Sequence, residues 1–438
     1  MTSDPPATDR PGLFDRLLGL ERHEHAAVAW SFVYFFCVLS AYYILRPVRE
    51  AMAVESGPET IPWLFLGTFI TMLIATPIFG LIASRYPRRR FLPWVYLFFV
   101  SNILIFWAAF SWAVDNEQSI VWLGRVFFVW VSVFNLYVVS VFWSFMADIY
   151  SRAQGRRLFG VISAGGSGGA LLGGIATNQL VSSIGFQSLL PISAFLLAVA
   201  IFCISQLRHW VEHEHSDHLD KTVATDQPLG GNPFSGITSV FSSRYFAAIA
   251  VASMIASLLG TALYMVRAQL VDASMTEVNE QTAFFALLNN AQNIIAMLGQ
   301  LLVVKHVVSR FGIGVSLSLL PIVSVAGFAI LAFEPTLTVV AALIVMRRSV
   351  GFIFSKPTTD MLYSVVTPEQ KYKAKNFIDT AIYRGGDLIG TWGIRFISAL
   401  GLSGISLVML PFAVVWGVIA LWLGRDYRRR AGLGMGSA

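Results

Sequence analysis

Charge is what this chain has least of. Of its 438 residues only 13% are Asp, Glu, Lys or Arg, while 56% are hydrophobic and the mean hydropathy is +0.66. Soluble domains carry about a quarter charged residues, so a fold surrounded by water is excluded. Cysteine is almost absent: Cys37 and Cys203 each fall inside an apolar run, where they read as small packing residues, and no disulfide framework can be built from them. The glycine-rich stretches are followed by no Gly-Lys-Ser or Gly-Lys-Thr, which excludes a phosphate-binding loop of the nucleotide-hydrolase kind. No basic segment with a short apolar core and a small-residue cleavage site precedes the first apolar run, so that run is expected to be retained. Histidine makes one cluster, His209, His213, His215 and His218 with Glu212 and Glu214, in a mixed-charge stretch that reads as a solvated linker. No metal and no cofactor is expected. The loops are short and hold no nucleophile arrangement, so an enzyme is not expected either.

Apolar length is what the chain does have. Runs at 27–51, 62–84, 91–113, 119–147, 158–181, 188–207, 245–270, 282–306, 315–333, 336–356, 377–399 and 404–424 are each long enough to cross a bilayer. The fold class is therefore an all-α membrane protein with twelve transmembrane helices in two six-helix halves. The expected organisation is an N-terminal segment over 1–26, a first half over 27–207, a linker over 208–243, a second half over 244–424 and a tail over 425–438. Within the N-terminal segment Leu13, Phe14, Leu17 and Leu18 share one helical face, which suits a short helix lying in the membrane interface.

The loops give an orientation through a second absence. Those near 52–61, 114–118, 182–187, 271–281, 334 and 400–403 contain no Lys or Arg. The alternate loops hold Arg85 and Arg88 to Arg90, Arg152, Arg156 and Arg157, Lys305 and Arg310, and Lys371, Lys373 and Lys375. Basic loops stay on the cytoplasmic side, so both termini are expected in the cytoplasm and the chain in the inner membrane. The formal charge of +6 thus reports topology, and no nucleic-acid partner is expected.

The halves also echo each other. Tyr43 to Arg46 (YILR) has a counterpart in Tyr264 to Arg267 (YMVR), Ser84 to Pro87 (SRYP) in Ser309 to Gly312 (SRFG), and Gly168 to Gly174 (GGALLGG) in Gly385 to Thr391 (GGDLIGT). Three matches in one order argue for a parallel six-helix repeat, with a binding site between the halves and alternating access by rocking. A six-plus-six array with a linker resembles the major facilitator superfamily, and Gly80 to Arg90 (GLIASRYPRRR) is similar to its loop signature, with Ser84 in the usual Asp place and Pro87 in the usual Gly place. The chain also resembles the ATP/ADP translocase family of plastids and intracellular bacteria. The carriers of that likeness are YYILRPVRE, Tyr42 to Glu50, and KPTTDMLYSVVTPEQKYKAKNFID, Lys356 to Asp379, with Lys356 in the family's Asp position and Thr359 in its Lys position. This resemblance implies nucleotide or nucleotide-like phosphates as substrate, moved by exchange.

Within the spans lie Arg46, Arg49, Arg125, Arg267, Arg347, Arg348, Arg384 and Arg395 against Glu50, Asp379 and Asp387. A central arginine costs about 2.5–3.5 kcal/mol to insert, so such a set calls for a purpose. Guanidinium suits bidentate recognition of phosphate or carboxylate, and the excess of cations points to a small organic anion as partner. Arg46, Arg49, Arg267, Arg347, Arg384 and Arg395 are the candidate substrate contacts, with Tyr43, Asn290 and Asn293 adding hydrogen bonds and a stacking surface, a role also open to Tyr42, Tyr264 and Tyr383. By spacing, Glu50 faces Arg46 one turn away, Pro47 removes a backbone bond between them, and Asp387 neutralises Arg384, while Arg395 has no acid at helical spacing. Glu50, Asp148, Lys356, Asp360, Asp379 and Asp387 are the candidate gating or coupling groups. The alternative function is proton-coupled transport of another solute, with Glu50, Asp379 or Asp387 taking the proton. A monomer is expected.

Overall fold

The protein is described here by a computed structural model covering residues 21–85, 88–214, 240, 243–302, 304–366, 374, 375 and 377–434. Among these residues every regular element is helical. That outcome follows from the solvent, since a bilayer interior offers no partner to a backbone N–H or C=O and a helix satisfies each within itself. The helices are α1 (His25–Glu55), α2 (Ile61–Arg85), α3 (Arg88–Asp115), α4 (Val121–Ile149), α5 (Arg152–Ile184), α6 (Leu189–Glu214), α7 (Arg244–Ser274), α8 (Val278–Leu302), α9 (Val304–Phe333), α10 (Leu337–Val350), α11 (Lys356–Leu362), α12 (Tyr383–Ile397) and α13 (Gly401–Gly434). A π-helical turn, Gly351–Ser355, joins α10 to α11, and a second, Ile378–Ile382, leads into α12.

Among the described residues, ten stretches are long and apolar enough to cross a bilayer, and the protein is a multi-pass membrane protein. Helix α8 is not among the ten: Asn289, Asn290, Gln292 and Asn293 dilute its apolar run. Helices α12 and α13 share one stretch, Tyr383–Gly432, and are separated where Gly401 takes φ 68°, a left-handed turn that glycine adopts without steric cost. Several helices outrun the apolar segments that announce them. Helix α5 begins at Arg152, not 158, because Ser151 and Gln154 form a reciprocal capping box there. Helix α13 continues to Gly434, not 424, and Arg430 pairs with Asp426 one turn back at 2.7 Å. The segment expected to start at 315 begins at Val304 but turns at Gly312 (φ 75°, ψ 176°), which makes it two helical pieces. Hydropathy reports the thickness crossed; capping and ion pairs decide how far a helix continues beyond it.

Two compact units organise the chain. The first comprises Met1–Arg46, Ala75–Gln118 and Val131–Thr222; the second comprises Pro47–Ile74, Ser119–Trp130 and Val223–Ala438. Helix α1 runs unbroken across Pro47, the position at which it passes from one unit to the other.

Small residues set the helix contacts in each unit. In the first, Gly165, Gly169 and Gly173 on α5 face Phe32, Phe36 and Ser40 on α1, both series stepping by four. A Cβ on Gly165 would lie 2.5 Å from the Phe32 carbonyl oxygen, and one on Gly173 2.6 Å from that of Ser40. Between helices in lipid there is no hydrophobic drive, so such close approach is what supplies dispersion energy. Aromatic edges fill the rest: Tyr34 donates to the Tyr96 hydroxyl at 2.7 Å, which donates to the Val138 carbonyl at 3.0 Å, while Phe35 stacks on Phe142 at 4.1 Å. In the second unit α7 is the hub. Its Leu259, Ala262, Leu263 and Val266 are buried with Phe328 of α9, Val340 of α10, Ile394 of α12 and Trp416 of α13. Gly386 and Gly390 of α12 lie against Ser257 and Thr261 of α7.

Candidate functional site

Four groups of charged residues in the second unit bear on the expected site. The first joins α1 to α7. Glu50, with its side chain 5% exposed, places Oε1 2.8 Å from Arg49 Nη1 and Oε2 2.5 Å from Arg267 Nη2. Arg267 is buried beneath two rings, its guanidinium 4.7 Å from the centre of Tyr264 one turn back and 4.6 Å from that of Phe285 on α8. Arg49 lies 3.9 Å from the Phe128 ring of α4 and donates Nε to the Phe128 carbonyl at 3.3 Å. One carboxylate between two guanidiniums is a charge-assisted lock, and it holds the far end of α1 to α7 and α4.

The second group is built on α10. Arg347 donates Nη2 to the Ala256 carbonyl of α7 at 2.6 Å and Nε to Ser324 Oγ of α9 at 3.2 Å, so it ties three helices together. Gly260 makes the room: a Cβ there would meet Arg347 Nη1 at 3.0 Å. Arg348, turned about 100° round the helix, donates to Gln292 Oε1 of α8 at 3.3 Å. Nearby on α8, Asn290 Oδ1, Gln292 Nε2 and Asn293 Nδ2 are buried and find no hydrogen-bond partner among the described residues. Buried polar groups are ordinarily satisfied, so these three call for water or a solute.

The third group is on α12. Arg384, 45% exposed, has Nη1 3.5 Å from Asp387 Oδ2, the pairing expected from their spacing. Asp387 Oδ1 is met by Ser257 Oγ at 2.5 Å and Thr261 Oγ1 at 3.1 Å, both from α7. Tyr383 is 44% exposed beside them. Farther along α12, Arg395 donates to the Glu59 carbonyl at 2.7 Å and lies over the Trp392 ring at 5.7 Å. The residue without an acid at helical spacing thus has a backbone oxygen 336 positions away.

The fourth group gathers Lys356 and Asp360 of α11 with Lys375 and Asp379. Lys356 Nζ is 3.7 Å from Asp360 and 3.9 Å from Asp379, and Lys375 Nζ contacts Asp360 and lies 3.5 Å from Asp379. Burial pushes the Lys375 ammonium down, but its hydrogen bond to Asp360 and the charge of Asp379 outweigh that and hold it above the ordinary lysine value. Three expected coupling residues, Lys356, Asp360 and Asp379, are brought together with Lys375 as one alternating ion network.

In the first unit, Arg46 lies 5.5 Å from the centre of the Tyr43 ring, and Tyr43 meets Tyr42 edge to face. Asp148 is exposed near the end of α4. Glu24, just before α1, accepts from Gln154 at 2.9 Å and Arg157 at 2.8 Å on α5. Burial raises its carboxyl pKa, but the hydrogen bonds from Gln154 and the Glu21 backbone and the Arg157 charge prevail and leave it below the ordinary value. Glu21, His23 and Glu24 stand close enough to hold an ion, yet Arg157 already occupies both carboxylates. The interfacial stretch Leu13 to Leu18, the linker His215 and His218, Tyr86 and Pro87 of the loop signature, and Lys371 and Lys373 lie outside the described residues. Sequence reasoning missed Ser257, Thr261 and Ser324, whereas Gln292 lies in the polar run Asn289 to Asn293 that the sequence marked as a source of hydrogen bonds.

Three comparisons bear on this arrangement. The chain is 21% identical to ADP,ATP carrier protein 2 of Chlamydia pneumoniae, across 91% of this chain and 88% of the relative. It superposes on the structure of a bacterial homologue of the iron transporter ferroportin in an inward-facing state with a TM-score of 0.64, at 12% identity, covering 94% of this chain and all of that one. The nucleoside transporter NupG gives a TM-score of 0.58 at 17% identity, covering 92% of this chain and 98% of that one. Both likenesses show the helical fold. The sequence profile of the Major Facilitator Superfamily matches residues 31–391, and this many-helix membrane chain is a transporter of that superfamily.

Proposed function

We propose that the protein carries an organic anion, a nucleotide or nucleotide-like phosphate, by exchange through alternating access. The observation that carries this reading is a cation excess that survives pairing. In the second unit, Glu50 serves two arginines, and Arg347 and Arg395 are met by neutral oxygens, so positive charge is left for a solute to balance. Guanidinium forks match phosphate oxygens in geometry as well as in charge. Arg384, exposed and held by a long 3.5 Å contact, is the contact proposed for the anion, with Tyr383 as a surface for a ring and the unpartnered amides of Asn290 and Asn293 as hydrogen-bonding groups. Arg46 over Tyr43 keeps its expected role in this proposal. The ADP,ATP carrier and the nucleoside transporter among the comparisons support the substrate class. The same reading takes the chain to have twelve spans in two six-helix halves, both termini cytoplasmic, in the inner membrane as a monomer. The glycine contacts of α5 with α1 and of α12 with α7 support the two-half repeat.

A thermal-shift series on the purified protein tests the substrate class, because a ligand that binds only the folded state stabilises it by about 2.7 kcal/mol at one hundred times its Kd. ATP or ADP should raise the melting temperature, adenosine should not, and Arg384→Gln should diminish the rise. No shift with any anion, or equal shifts with ATP and adenosine, contradicts the reading.

A further inference from the structure

The last helix outruns the bilayer. From Gly401 to Trp422 α13 rises about 32 Å, close to the thickness of a hydrocarbon core, and it continues to Gly434. Over that stretch its two faces differ. Met409, Ala413, Trp416 and Ala420 are buried in the core of the second unit, whereas Leu407, Val414, Val418, Leu421 and Trp422 are exposed. Exposed apolar side chains along a spanning helix face acyl chains, and a Trp at the end of such a stripe marks the level of the headgroups.

Beyond Trp422 the same stripe turns from apolar to cationic. At about 100° per residue, Arg425 and Arg429 fall within about 20° of the direction of Val418, and Arg428 lies about 80° to one side. All three are exposed. The one acid of α13, Asp426, is taken by Arg430 at 2.7 Å, and Arg430 lies 4.4 Å from the centre of the Tyr245 ring of α7. Among the described residues no acid pairs with Arg425, Arg428 or Arg429. Arg425 and Arg429 stand one turn apart, where like charges repel. Their place is fixed by the backbone beside them: a Cβ on Gly424 would lie 2.2 Å from Gly314 Cα of α9. Arg244, exposed at the start of α7 next to Tyr245, brings a fourth guanidinium to this end of the unit.

We propose that Arg425 and Arg429 hold the headgroup phosphate of an anionic phospholipid in the leaflet on the side where the chain ends, with Arg428 and Arg244 adding positive charge. The depth fits. Arg425 lies about 4–5 Å and Arg429 about 10 Å beyond Trp422 along the axis, which brackets a headgroup layer of about 5–7 Å. The chemistry fits as well, since two guanidinium forks rooted about 5–6 Å apart can close on one phosphate, whose charge removes their repulsion. A zwitterionic headgroup carries its own cation and offers these arginines less. Orientation, the ordinary reason for basic residues at the end of a span, asks only for charge somewhere in the loop. It does not ask for two guanidiniums on the lipid-facing line of a helix. The proposal is independent of the solute carried.

Native mass spectrometry of the purified full-length protein, delipidated and then titrated with phosphatidylglycerol or phosphatidylcholine of identical chains, counts the site. The wild type should retain phosphatidylglycerol at a concentration about tenfold lower than phosphatidylcholine requires, as two arginines near a headgroup imply. Arg425→Gln combined with Arg429→Gln should bind one phosphatidylglycerol fewer and the same amount of phosphatidylcholine. Its melting temperature in phosphatidylcholine should equal that of the wild type, because neither side chain packs inside the unit. Equal retention of the two lipids by the wild type, or undiminished phosphatidylglycerol binding in the double variant, overturns the proposal. So does displacement of the bound lipid by inorganic phosphate or ATP that sodium chloride of equal ionic strength does not match, which would make the arginines a site for a soluble phosphate.

Discussion

Replacing Glu50 by alanine strands two guanidiniums at once, and the structure says how unequal the consequences should be. Arg49 is 17% exposed and keeps the Phe128 carbonyl and ring. Arg267 is 5% exposed and, among the described residues, keeps only the faces of Tyr264 and Phe285, with its Nε already lacking a hydrogen-bond partner there. Breaking a buried pair from one side costs about 3–5 kcal/mol; the two rings already around Arg267 place Glu50→Ala near the lower end, about 3 kcal/mol. Arg267→Met is milder. Glu50 still has Arg49 at 2.8 Å, so the loss is about one charge-assisted hydrogen bond, about 2 kcal/mol. The double variant leaves no stranded partner in this pair and should cost less than the two losses added, by more than about 1 kcal/mol. Unfolding in mixed micelles with increasing SDS, followed by circular dichroism, measures all three. Single variants within about 0.5 kcal/mol of wild type, or an additive double variant, would refute the lock.

Helix packing gives a matched pair: Gly386→Ala puts a methyl 2.9 Å from the Met254 carbonyl oxygen and should destabilise by about 1–3 kcal/mol, whereas Gly385→Ala meets nothing within 4 Å and should be neutral or slightly stabilising in the same assay. Glu24 gives a pH dependence. Its folded pKa is depressed, so its contribution is complete above the unfolded value of about 4.3 and is lost as pH falls through the lower folded value; Glu24→Gln should flatten that acid limb of melting temperature against pH. Topology is checked by single cysteines in a background lacking Cys37 and Cys203, which are both buried. An impermeant thiol reagent added to intact cells should label Asn116→Cys and spare Ser364→Cys, and the reverse pattern would invert the orientation.

Apolar length made the spans readable, and local spacing made the Arg384–Asp387 pair readable, because both are properties of a single segment. The fourth group was partly legible too, since Lys356 and Asp360 stand one turn apart. What stayed hidden is contact at long separation. Nothing local to Arg347 points to the Ala256 carbonyl or to Ser324, and nothing local to Arg395 points to Glu59. Polar residues on α7 showed the same limit: Ser257 and Thr261 sit in an apolar run where a hydroxyl ordinarily bonds its own helix, and only the approach of α12 through Gly386 and Gly390 turns them toward Asp387. Helix ends were misjudged wherever a cap or an ion pair carried the helix past its apolar stretch, as at Ser151 and Arg430.

Counterflow of adenine nucleotides tests the account most directly. The purified protein is reconstituted into liposomes loaded with unlabelled ATP, and entry of labelled ADP is followed against identical vesicles loaded with buffer. Exchange predicts transient accumulation of label above equilibrium in ATP-loaded vesicles, little entry into empty ones, and loss of the signal in Arg384→Gln. Label that enters both sets alike, or enters neither while the protein is folded, would contradict it.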